Sequence, residues 1–247
     1  MHESVAGLAA ATDAALLFVP GPLETRETVL GLLETARAGY IVINSSTIDP
    51  ETSVDMGKEA GQKGAHYADV PVFGRPAGAG RWAMLVGCDD GVLPLLEKYL
   101  VVLGGPERIF PMGPVGNGNK AKLLNNLMFG AINACVAEIM ALADKIGLPQ
   151  EALFNAAVGA GAGTVSNLYK ELAPRVFAAN YADPDFTVNM PAKDNNPAAE
   201  IAAQAGAPPV PGAAVNALNK LATSQGFAHD DTAGLSEQRT KVRALLQ

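Results

Sequence analysis

Cysteine, histidine and tryptophan are scarce in this 247-residue chain, with two, three and one respectively. Cys88 and Cys135 are far apart and have no CxxC spacing, which excludes a disulfide framework and a cysteine zinc site and leaves a reducing cytoplasm as the expected compartment. His2, His66 and His229 are scattered, none with a second ligand at workable spacing, so they read as surface or core histidines rather than a metal site. Aromatic residues make up only 6%, while alanine is abundant, which favours close helix packing over a β-sandwich. Basic residues are outnumbered, 18 Lys and Arg against 25 Asp and Glu, for a net charge of -7. Neutralising a phosphate backbone needs clustered cations, so nucleic acid is not an expected partner. No Lys or Arg precedes Arg26 and Asp13 breaks the first apolar run, so neither a signal peptide nor a membrane span is expected there.

What is present alternates in the first half. "AALLFVP" (14–20) and "YIVINSS" (40–46) are short apolar runs that read as buried parallel strands. Between them, "LETRETVLGLLETARAG" places Val29, Leu30, Leu32 and Leu33 on one helical face and closes at Gly39. "STIDPETSVDMGKEAGQKG" opens with capping residues and Pro50, then runs helical to Gly64. "AHYADVPV", "AMLVG" and "RIFPMG" supply further strands, with a helix over "DDGVLPLLEKYLVVLGG" between the last two. Strands alternating with helices predict a parallel α/β sheet.

The second half is helical. From Gly118 to Gly147 only helix-compatible residues occur, with Leu123, Leu127, Ile132, Val136, Ile139 and Leu142 at helical intervals. "PQEALFNAAVGAG", "TVSNLYKELAPRVFAAN", "PAAEIAAQAG", "PGAAVNALNKLATSQG" and "DTAGLSEQRTKVRALL" follow with no convincing strand between them. The expected organisation is a Rossmann-like sheet domain over 1–116 and an all-helical domain over 117–247, joined by the long helix.

The junction reads "GPVGNGNKAKLLNN" (113–126), three closely set glycines before a helix. It is a poor phosphate loop. G-x-G-x-x-G fails because Ala121 stands where the third Gly belongs, and the P-loop fails because Lys120 is one place out of register with no hydroxyl after it. The alternative is a tight turn entering a helix on which Lys122 and Asn126, four apart, project from one face. Spacing alone favours ordinary solvated side chains for this pair.

Four segments together go further. "GPVGNGNKAKLLNN", "INSSTIDP", "DVPVFGRPAGA" followed by "AMLVGCDD", and "PAKDNNPAAEIAAQAG" resemble the β-hydroxyacid dehydrogenase family, the relatives of 3-hydroxyisobutyrate and tartronate-semialdehyde dehydrogenases, in order and in spacing. The resemblance implies an NAD- or NADP-dependent oxidoreductase acting on a small molecule, and a homodimer or higher homo-oligomer. Lys122 matches the family's catalytic lysine and Asn126 the asparagine beside it. A lysine can move the hydroxyl proton if partial burial lowers its pKa. Val19, Pro20 and Thr47 match positions that line the dinucleotide, and Lys193 a lysine near the nicotinamide. No metal is implied.

Two departures qualify the resemblance. Family members usually open with a strand, a G-x-G-x-x-G turn and a helix, whereas this chain opens in what resembles the helix before the fourth strand. The expectation is that roughly 60 residues, two βα units, are missing. The pyrophosphate site would go with them, and "AALLFVP" would be left as an open apolar sheet edge that seeks another chain. Where many members have Ser-Gly-Gly for the substrate carboxylate, this chain has Phe73-Gly74-Arg75. Arg75 is either a charge-assisted substitute or a surface arginine. Two functions compete: a hydroxy acid dehydrogenase with Lys122 as general acid/base, and a non-catalytic oligomeric remnant without nucleotide binding.

Overall fold

The computed structural model describes residues 4–74, 78–182, 184, 186–207 and 209–235, with the backbone alone for 191–195. It divides into two compact units, Met1–Leu124 and Asn125–Gln247.

The first unit runs α1 (Val5–Ala11), β1 (Ala14–Leu17), α2 (Pro22–Leu33), β2 (Ile41–Asn44), α3 (Pro50–Gln62), β3 (His66–Asp69), β4 (Val72–Phe73), β5 (Ala83–Cys88), α4 (Leu93–Gly104) and β6 (Ile109–Gly113), then the first turns of α5 (Asn117–Lys145). The strand order is β1-β2-β3-β5-β4, with β6 on β5. Parallel pairing sets Leu17 opposite Asn44 and Asn44 opposite Asp69, so the carboxyl ends of three strands form one row. β5 departs from the expected parallel sheet by running antiparallel to both β3 and β4. The connection 74–82 is too short for a crossover, so the chain turns back as a hairpin.

One sheet face packs Ala15, Leu17, Val42 and Tyr67 against Val29, Leu32, Met56 and Ala60 of α2 and α3. The other packs Ile41, Ile43, Met84 and Val86 against Leu96 and Leu100 of α4. Each fully buried aliphatic side chain contributes about 1.5–3 kcal/mol. Covered on both faces, β2 is buried at all four positions, which is why it reads as a continuous apolar run. Asp49 caps α3 by accepting from Thr52 N at 2.7 Å, with Pro50 in its first turn. Leu30 leaves the expected face of α2 and is exposed.

Among the described residues β1 pairs with β2 alone and forms the sheet edge. Leu16 and Phe18 stand 44% and 51% exposed there, and a groove of about 320 Å³ runs beside α4, lined by Ala14, Leu16, Tyr99 and Val102 among others.

The second unit holds the rest of α5, then α6 (Gln150–Gly159), α7 (Asn167–Phe177), α8 (Asn189–Gln204) and α9 (Val210–Ser224). Val136 and Met140 pack with Tyr169, Leu172 and Val176, and Phe154 stacks on Tyr169 at 5.5 Å between ring centroids. Of the apolar residues at helical intervals along α5, Leu123 and Val136 are buried. Ala134, Ala137, Met140 and Ala143 are also buried, while Ile139 and Leu142 stand 49% and 52% exposed. Asp231 ties the end of the described chain, accepting from Ala233 N at 2.9 Å and facing Arg175 Nη1 at 3.7 Å. α8 starts earlier than its sequence predicts, taking in "KDNN" and carrying Pro197 inside.

Candidate active site at the carboxyl ends of the parallel strands

Ligands of open α/β sheets gather outside the carboxyl ends of the strands, and the row Leu17, Asn44, Asp69 marks that edge here. The loops leaving it are fastened to one another. Ser45 N donates to Leu17 O at 2.8 Å and Val19 N to Ser46 Oγ at 2.8 Å. Ser46 N donates to Asn44 Oδ1 at 3.0 Å, and Asn44 Nδ2 to the Tyr67 hydroxyl at 2.9 Å. Burial pushes the Tyr67 hydroxyl up to about 12, against the opposing pull of its bonds to Asn44 and Ser53, so it stays a neutral part of the frame. Val19 is half-buried, Pro20 exposed and Thr47 half-buried.

β3 and β4 bring the other side of the site. Lys122, half-buried in the second turn of α5, donates from Nζ to Val72 O at 2.9 Å, and Nζ lies 5.5 Å from the centroid of the Phe73 ring. The ring face attracts the ammonium. Phe73 therefore touches the expected catalytic amine directly. Gly74 is exposed and packed so tightly on Trp82 that no Cβ fits, and Trp82 in turn meets Phe18 at 5.7 Å between ring centroids. Asn126, four residues beyond Lys122 on the same helix, is half-buried. Arg75 lies outside the described residues, as does the Lys193 side chain, whose backbone is in α8.

Beneath these groups lies a polar pair that the sequence reading missed. Asp69, 0% exposed, accepts Gly116 N at 2.6 Å and Asn119 N at 2.7 Å on its two carboxyl oxygens. Asn119, also buried, accepts Ile48 N at 3.1 Å and donates to Ser53 Oγ at 3.1 Å. The strand end, the β2–α3 loop and the start of α5 are joined through these two side chains. Burial pushes the Asp69 carboxyl up to about 7, opposed by its backbone hydrogen bonds and by Lys120. The only sequence signal was an aspartate ending an apolar strand in "YADVPV". Among the described residues, no group of three or more His, Cys, Asp or Glu is placed to hold a metal ion.

Comparison with known proteins decides the lineage. Residues 1–113 match the model of the NAD binding domain of 6-phosphogluconate dehydrogenase, and residues 116–237 the model of NAD-binding of NADP-dependent 3-hydroxyisobutyrate dehydrogenase. Glyoxylate/succinic semialdehyde reductase 1 of Arabidopsis thaliana is 31% identical over 209 residues, 84% of this chain and 71% of that protein. The chain belongs to the β-hydroxyacid dehydrogenase family. Another relative, 2-(hydroxymethyl)glutarate dehydrogenase of Eubacterium barkeri, is 29% identical over 188 residues, 74% of this chain, and the match spans only 61% of that protein's length. Among solved structures, the Mycobacterium tuberculosis 3-hydroxyisobutyrate dehydrogenase with L-serine superposes with a TM-score of 0.85 at 24% identity, covering 96% of this chain and 82% of that one, a likeness of fold. The Rossmann-like sheet followed by a helical region is thus the fold of the β-hydroxyacid dehydrogenases, and the matched models make NAD or NADP the cofactor class.

The residues present fit a nicotinamide better than a pyrophosphate. The strand-end loops carrying Val19, Pro20 and Thr47 are half-buried or exposed, whereas the glycine-rich turn that opens α5 is already filled by the Asp69 carboxyl.

Proposed function

We propose that the protein is an NAD(P)-dependent oxidoreductase that interconverts a small hydroxy acid and the matching semialdehyde or ketone, with Lys122 as general acid/base. The observation that carries this reading is the Lys122 amine, fixed by Val72 O at 2.9 Å and the Phe73 ring, just beyond the carboxyl end of β3. The family's relatives are named as dehydrogenases and reductases of such compounds.

A nicotinamide bound there would supply the hydride acceptor for the carbinol carbon, or the hydride donor for the carbonyl carbon. The chain's own groups handle the rest. In oxidation the Lys122 amine takes the hydroxyl proton as the C–H bond breaks; in reduction its ammonium gives that proton to the carbonyl oxygen. The Val72 carbonyl keeps Nζ aimed while the proton moves. Asn126 holds the substrate oxygen or a water by its amide. Val19, Pro20, Thr47 and Lys193 line the dinucleotide, and Gly74 and Arg75 receive the substrate's acid group. Phe73 has no hydrogen bond to donate, so its ring forms an apolar wall that favours a substrate with a hydrocarbon portion beside the reacting carbon. A homodimer or higher homo-oligomer, assembled through the β1 edge or the helical unit, completes the proposal.

Titrating the protein with NADH and with NADPH while following nicotinamide fluorescence tests the reading. Saturable binding supports it. No binding at millimolar cofactor would leave the non-catalytic oligomeric remnant as the better account.

A further inference from the structure

The turn that opens α5 has the chemistry of an anion site: backbone N–H groups at a helix N-terminus, with glycines that let a ligand come close. Its occupant comes from the chain itself. The Asp69 carboxyl accepts from Gly116 N and Asn119 N, 47 and 50 positions away, so it fastens a distant strand to the helix rather than capping its own turn.

The fit leaves no slack. A Cβ at Gly118 would lie within 3.0 Å of Leu85 O, Asp69 O and Asp69 Oδ2, and a Cβ at Gly87 would strike Asp69 Oδ1. Gly116 has φ +95°, in the left-handed region that favours glycine. The two segments pinned by Asp69 are the same two that Lys122 bridges. Val72, whose carbonyl accepts the amine, is three residues beyond Asp69, and Lys122 is three residues beyond Asn119. Asn119 extends the frame to Ile48 N, next to Thr47.

We infer that Asp69 is the positioning residue for Lys122, setting the spacing between the β3–β4 run and the first turns of α5 at which the amine reaches Val72 O and the Phe73 ring. The inference rests on the proposed role of Lys122 for its catalytic meaning, but not for its geometry. The groups facing the carboxyl are Lys120 from α5, Tyr67 from β3 and Cys88 from β5. Of these three, Lys120 is the positively charged one, and its exposed amine is bonded to Asn117 Oδ1 at 3.0 Å.

The test reads Lys122 directly. Reductive methylation with carbon-13 formaldehyde gives each lysine an NMR signal, and Lys122→Arg identifies the one from Lys122. In Asp69→Asn, whose amide puts an N–H against a backbone N–H, the Lys122 signal should move and titrate differently, while those of Lys63 and Lys145 stay. In Gly118→Ala the same change should appear with the aspartate retained. A Lys122 signal unchanged in either folded variant would overturn the inference. Should both variants fail to fold by circular dichroism, the wild-type chain still decides. Its Lys122 signal should shift at the pH where the Asp69 carboxyl, followed by its own carbon-13 signal, titrates, and no shift there would overturn the inference. None of these readings requires turnover, so loss of the dehydrogenase reading would leave them intact. If turnover is measured, Asp69→Asn should lower kcat by about 10²-fold, the cost of a misplacement of about 1 Å, with cofactor affinity retained.

Discussion

Asn119 Oδ1 accepts the backbone N–H of Ile48 at 3.1 Å, joining the first turn of α5 to the loop after β2. The same side chain donates to Ser53 Oγ, and its own N–H is held by Asp69. Asn119→Ala removes both side-chain bonds and strands buried partners. We expect a loss of about 1–3 kcal/mol, read from urea unfolding as a lower midpoint with unchanged slope. A neutral substitution would show that water replaces the side chain.

Asp69 gives the protein a pH dependence of definite sign. Its carboxyl rises from an ordinary 3.8 to about 7 on folding, so between those values the folded state binds more protons than the unfolded one. Stability from this group is therefore fully present below about pH 4 and is lost as pH rises through 7. Asp69→Asn should flatten that part of the curve. Unfolding midpoints collected from pH 4.5 to 8 in both proteins check this; parallel curves would contradict it.

The resemblance puts Phe73 where many family members have a serine. Removing its ring by Phe73→Ala takes away a cation–π contact of about 0.5–1 kcal/mol. Phe73→Ser adds a hydroxyl donor in its place. On the proposed reading, Phe73→Ser lowers KM for short hydroxy acids such as 3-hydroxyisobutyrate and raises it for substrates with a larger apolar portion. A KM profile identical to wild type would remove Phe73 from substrate selection.

The alternating strands and the long helix were legible because burial on both faces leaves continuous apolar runs, as in β2, and because α5 carries no proline between Asn117 and Lys145. Strand direction was not legible: apolar runs look alike in either sense, and only the short 74–82 connection reverses β5. Nor did helical spacing on α5 separate Leu123 and Val136, which are buried, from Ile139 and Leu142, which are exposed. Lys122, Asn126, Phe73 and Thr47 are proposed from motif resemblance, which carries chemistry that spacing alone does not. Asp69 and Asn119 escaped because their partners are backbone amides at distant positions. A chain read residue by residue shows the glycines at 87, 116 and 118 but not the carboxyl they make room for.

In the proposed reaction the Lys122 amine moves the substrate proton. The most direct test is Lys122→Ala, assayed for NAD(P)-coupled turnover of small hydroxy acids alongside cofactor titration. A fall in kcat of about 10²–10⁴-fold with the cofactor dissociation constant nearly unchanged is the predicted result. Turnover equal to wild type in a variant that still binds cofactor would contradict it.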